Sequence, residues 1–143
     1  MKKITYSSLG YTPFGLLVGV FYREFPKFIQ TPEAIVGSQL SVVHTHSLTL
    51  GTFFFLFALI LTKLFHLDEH KHFNNFFITY HIGLGLTILV MLVHGIYVTL
   101  GNDPHAAFSG IAGVGHIILT IGLGLFFYIL IQSVDKNQNK VNE

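Results

Sequence analysis

"VVHTHSLTLGTFFFLFALIL", residues 42 to 61, sets two histidines one residue apart in a run whose only other polar groups are hydroxyls. So apolar a run reads as the start of a membrane-crossing helix, because about 20 mostly apolar residues are needed to span roughly 30 Å of hydrocarbon. Inside such a helix an imidazole is costly and marks function unless a partner answers it. Residues at i and i+2 on a helix point about 200° apart, so His44 and His46 are expected to face two different neighbours.

The rest of the chain agrees with a membrane class. Of its 143 residues, 51% are hydrophobic, 15% aromatic and only 10% charged, too apolar for an ordinary soluble domain. One unit over residues 1–143 is expected, an all-α membrane protein whose principal partner is the lipid bilayer. Its four spans lie at about 6–22, 40–65, 76–100 and 106–131. The first is the weakest, since Ser7, Ser8, Thr12 and Pro13 interrupt it. A signal peptide is the competing reading there, but Tyr22, Arg23 and Glu24 follow Phe21 where small residues would be cleaved, so the helix is expected to be retained.

Lys2, Lys3, Lys63, Lys71, Lys136 and Lys140 fall on one side of a four-span arrangement, and only Arg23 and Lys27 on the other. The positive-inside rule then places both termini in the cytoplasm of a bacterial cell, with the protein multi-pass in the plasma membrane. The connection from Arg23 to Gln39 and the "GNDPHA" turn lie outside, while "HLDEHKHFNN" lies inside and "DKNQNKVNE" is a solvated tail. The formal charge of +1, with the cations scattered through ends and connections, argues against nucleic acid as a partner. Cysteine is absent, which excludes disulfides and thiolate sites. "IGLGL" at 82–86 and 121–125 and "GLLVG" at 15–19 read as close helix contacts.

Five of the nine histidines, His44, His46, His81, His94 and His116, fall inside the spans. At about 1.5 Å per residue, His44, His46 and His94 lie some 10 Å inside the outer end and His116 deeper. Every Asp and Glu falls in a connection or the tail, so a metal at that depth would rely on imidazole. Haem b fits such a setting best, needing one or two axial imidazoles and a large apolar slot of phenylalanine and glycine. His44, His46, His94 and His116 are the candidate iron ligands. Arg23, the only arginine, stands where it would clamp outward-pointing propionates. His81, near the cytoplasmic boundary, reads as structural or interfacial. The pair His66 and His70, at i, i+4 in a wet loop, is a weak metal candidate, and His105 reads as a helix-start residue. Copper or zinc held by the same four histidines is the alternative, and a structural subunit with helix-bridging histidines is a third reading.

The His-x-His helix resembles the tenth helix of the catalytic subunit of haem-copper oxidases and nitric oxide reductases, in which the motif is followed by an apolar stretch with a glycine, here Gly51. The resemblance implies that His44 corresponds to a high-spin-type ligand and His46 to a low-spin-type ligand, with His94 of "VHGIY" similar to the other low-spin ligand. The chain also resembles small four-helix bacterial membrane proteins related distantly to that fold, and so one four-helix arc of the oxidase. Four spans instead of twelve, no adjacent His-His pair for copper and no intramembrane carboxylate count against an oxidase or proton pump. The expected roles are electron transfer, binding of a gas such as nitric oxide or oxygen, or haem handling; no redox partner is named by the sequence. Because His44 and His46 face opposite ways, one of them would look out of a lone unit. A homo-oligomer is therefore expected, a trimer with a dimer as runner-up.

Overall fold

The computed structural model describes residues 1–29 and 38–141, and among these every regular element is helical. The helices are α1 (Lys2–Phe28), α2 (Leu40–His46), α3 (Phe54–Phe65), α4 (Phe73–Thr99) and α5 (Ala106–Val141). A π-helical turn, Ser47–Phe53, joins α2 to α3 without a break, so the chain forms four rods. Three of them, Leu40–Phe65, Phe73–Thr99 and the rod beginning at Ala106, are long and apolar enough to cross a membrane. The expected first span differs. α1 has the length, but its hydroxyls, two prolines and terminal charges dilute its apolar residues, and it is not among those three. It also runs further than the expected 6–22, from Lys2 through Pro26 to Phe28. The tail likewise departs from expectation, since α5 continues helically past residue 131 to Val141. Of the expected outer connection, residues 30–37 lie outside the described part.

The rods lie side by side, and α4 and α5 pack along each other. Glycine lets them approach: a Cβ on Gly83 would strike the backbone of Leu119, and one on Gly122 would lie 2.9 Å from Tyr80 Cα. These are the first glycines of the two "IGLGL" segments, which bears out their reading as contacts, while the second ones, Gly85 and Gly124, meet nothing. α1 packs against the rod of residues 40–65. α4 meets that rod at its start, where the backbone of Leu40 rests on Gly95.

An aromatic core fills the half of the bundle nearer Met1. Phe54 stacks on Tyr80 at 4.2 Å between ring centroids and takes Phe126 edge-on at 5.2 Å. Phe55 and Tyr80 are completely buried. Large apolar side chains such as Leu17, Phe53, Ile60, Ile117 and Ile131 point outward instead, the pattern of helices whose outer solvent is lipid. At the Met1 end the terminal ammonium lies 3.3 Å from the Asp68 carboxylate, and Lys3 Nζ donates to Asn74 Oδ1. At the other end Ser38 ties two rods together: its hydroxyl donates to the Gly95 carbonyl at 3.1 Å and accepts from the Leu40 N–H.

Candidate functional site

The π turn directly follows His44 and His46. Such turns, with N–H groups reaching five residues back, tilt carbonyls away from the helix ladder and recur at functional sites. Here two carbonyls of the turn take donors from neighbouring helices: Ser8 Oγ donates to Thr52 O at 3.2 Å, and Tyr80 Oη donates to Leu50 O at 2.8 Å. Thr12 and Thr52 hydroxyls meet at 3.1 Å. A glycine at residue 51 is required because the Tyr11 ring occupies the place of a Cβ. The turn is thus held by α1 and α4, and it sets how the histidine segment is aimed relative to the aromatic core.

α2 itself winds regularly, so the expected divergence of its histidines holds. His44 faces α1: its ring stacks on Tyr22 at 6.3 Å, and it lies over Gly19, where a Cβ would sit 3.6 Å from its own. Its Nδ1 is buried with no hydrogen-bond partner among the described residues. His46 is turned about 200° from it. Its Nδ1 donates to the Val42 carbonyl at 2.9 Å, a bond that assigns the proton to Nδ1 and leaves the Nε2 lone pair directed outward. His116 on α5 repeats the arrangement, with Nδ1 2.8 Å from the Ala112 carbonyl and an exposed ring.

His94 on α4 is only 8% exposed, and neither ring nitrogen has a hydrogen-bond partner among the described residues. Its ring lies face to face with Phe108 of α5 at 4.8 Å. A neutral imidazole always carries one N–H, so burial without an acceptor costs about 1–3 kcal/mol. His81, on the same helix, is satisfied on both sides. Its Nδ1 donates to the Phe77 carbonyl at 2.8 Å, and its Nε2 lies 3.0 Å from Ser7 Oγ of α1. It also packs among Tyr11, Phe55 and Phe77, the structural setting the sequence led us to expect.

The candidates do not converge on one point. Among the described residues no three histidine, aspartate or glutamate side chains are grouped as a metal cage would need. His44 and His94 share the Leu40 end, because Leu40 lies on Gly95. His116 stands deeper, next to Gly115, which rests on Thr87. Arg23 follows Tyr22, and so stands at the His44 end of α1 as expected. Its side chain is 77% exposed and pairs with Glu24 at 3.2 Å. His105 starts α5 as expected, its Nδ1 accepting from the Ala107 N–H. What the sequence did not reveal was the π turn and its two side-chain donors, Ser8 and Tyr80; Gly51 was the single visible sign.

Fold and site together define an all-helical protein with membrane-length helices and intrahelical histidines that lack carboxylate company. The chain belongs to the family described as "Protein of unknown function (DUF2871)", whose model matches residues 1–133, the whole helical bundle short of its final turns. No curated protein and no solved structure matches it.

Proposed function

We propose that the protein is a four-span membrane protein, with both termini cytoplasmic in a bacterial plasma membrane, that binds haem b for one-electron transfer, gas binding or haem handling. The observation that carries this reading is His94: a buried imidazole, stacked on Phe108, with both nitrogens unanswered among the described residues. A haem iron would be held by one such nitrogen, and apolar walls would suit it. His46 offers a further imidazole, since its Nδ1–H bond to Val42 O would raise the basicity of Nε2 and fix the ring. His44, with an unpartnered Nδ1, is the candidate for a second haem, and His116 for a ligand offered across a subunit boundary. Bound haem would supply a one-electron couple and a place for a small gas. The protein's own residues would orient the imidazoles, cover His94 with the Phe108 ring, and bring Arg23 to the outer end for the propionates.

The outward-facing His46 and His116 support a homo-oligomer, a trimer first and a dimer second, resembling assembled arcs of the haem-copper oxidase fold. Copper or zinc on four histidines has weaker support, because the side chains do not gather. The test is an absorption spectrum of protein produced with ample haem, before and after dithionite. A Soret band that sharpens on reduction, with the α and β bands of a bis-histidine b-type haem, is the expected result; no Soret band ends the reading. Native mass spectrometry of the same sample reads the oligomer, and a haem-loaded monomer alone would remove the shared-site arrangement while keeping haem binding.

A further inference from the structure

At the Met1 end, α3, the turn after it and the end of α5 enclose a concavity of about 320 Å³ that the haem reading does not use. Its charge is unbalanced. Lys71 and Lys136 line it, and neither ammonium has a carboxylate of the described residues within ion-pair distance. The one carboxylate in the wall, Glu69, lies 3.7 Å from His66 Nδ1. Ser133 also lines it. That residue is 9% exposed, yet its hydroxyl has no hydrogen-bond partner among the described residues. Ser47, Thr12 and Thr120, by contrast, turn their hydroxyls back onto the carbonyl four residues earlier, the usual resort of a helical hydroxyl in apolar surroundings. Ser133 thus contributes a hydroxyl to the wall of the concavity. The wall is built to last: His70 Nε2 donates to Gln132 Oε1 at 3.2 Å, and Gln132 Nε2 donates to Tyr128 Oη.

Depth identifies the ligand. One membrane-length helix ends at Phe65, which forms part of the wall, and the next begins at Phe73, two residues after Lys71. The concavity therefore sits where hydrocarbon gives way to headgroups. Two ammonium groups and a hydroxyl match the oxygens of a phosphodiester, and Phe65 matches the start of an acyl chain. We propose that this site binds the phosphate of an anionic phospholipid. The choline of a zwitterionic lipid would face the same two cations, so the site discriminates by net headgroup charge. The proposal rests on the membrane reading of the helices and is independent of haem.

Native mass spectrometry of the full chain in mild detergent tests it, with phosphatidylglycerol, phosphatidylcholine of the same acyl chains, and inorganic phosphate offered separately. Phosphatidylglycerol should be retained about tenfold better than phosphatidylcholine. The double variant Lys71→Gln, Lys136→Gln should lose that preference and Ser133→Ala reduce it, while Lys27→Gln at the opposite end leaves it intact. Equal retention of the two lipids, or a preference that survives the double variant, overturns the proposal. Capture of inorganic phosphate without lipid discrimination assigns the concavity to a free anion and overturns it as well.

Discussion

His81 and His94 stand on one helix and differ in every contact a histidine can make. His81 gives its Nδ1 proton to Phe77 O, meets Ser7 Oγ of α1 with Nε2, and is wedged among three aromatic rings. His94 is the more deeply buried, and among the described residues its ring meets only Phe108 of α5 and neither nitrogen has a hydrogen bond. The first is a side chain whose polarity the fold uses up. The second is one whose polarity no described residue answers, which the proposed haem reading assigns to a ligand.

The largest effect separating them should be on haem. His94→Ala and His46→Ala are expected to lower haem retention at least about tenfold, read as Soret absorbance per protein, whereas His81→Ala keeps the band. Loss of the band in His81→Ala, with His94→Ala unchanged, would reverse the comparison and move the site to the Met1 half of the bundle.

A smaller effect, opposite in sign at the two positions, is expected on stability. In haem-free protein His81→Leu should cost about 1–2 kcal/mol, since two hydrogen bonds go and the Ser7 hydroxyl loses its partner on α4. His94→Leu replaces an unanswered polar group by an apolar one of similar size. It should be neutral or stabilising by up to about 1 kcal/mol. Unfolding in mixed micelles titrated with sodium dodecyl sulfate measures both, and equal destabilisation would mean that His94 has a partner after all.

The smallest effect is expected at Arg23. Exposed and already paired with Glu24, it should change haem retention by about twofold or less on going to Gln, the scale of an exposed ion pair. A larger loss would make it a buried clamp in the haem-bound protein.

Much of this arrangement was legible before any fold was known. Hydropathy put rods at 40–65, 76–100 and 106–131, close to the observed 40–65 and 73–99 and to the start, though not the end, of 106–141, because a backbone in lipid has a helix as its economical course. The divergence of His44 and His46 followed from helical periodicity alone, and the reading of both "IGLGL" segments as contacts from glycine's size, although only the structure showed that the first glycine of each makes the contact. The ends of α1 were less legible, since the connection was expected to begin at Arg23 and the helix instead runs on through Pro26 to Phe28.

What periodicity could not supply was anything decided by residues distant along the chain. The π turn at Ser47–Phe53 depends on Tyr80 and Ser8, from two other helices, donating to its carbonyls, and on Tyr11 filling the space over Gly51. Likewise the 13-residue spacing of His81 and His94 fixed only that they point apart. Which of the two would be satisfied turned on a serine of α1 reaching one and a phenylalanine of α5 covering the other. The sequence by itself determined the class of the protein, its rods and the directions of its imidazoles, all of which follow from local hydropathy and helical geometry. Tertiary structure decided which imidazole keeps a free nitrogen, because a hydrogen bond needs its partner within about 3 Å and only the packed bundle brings helices that close.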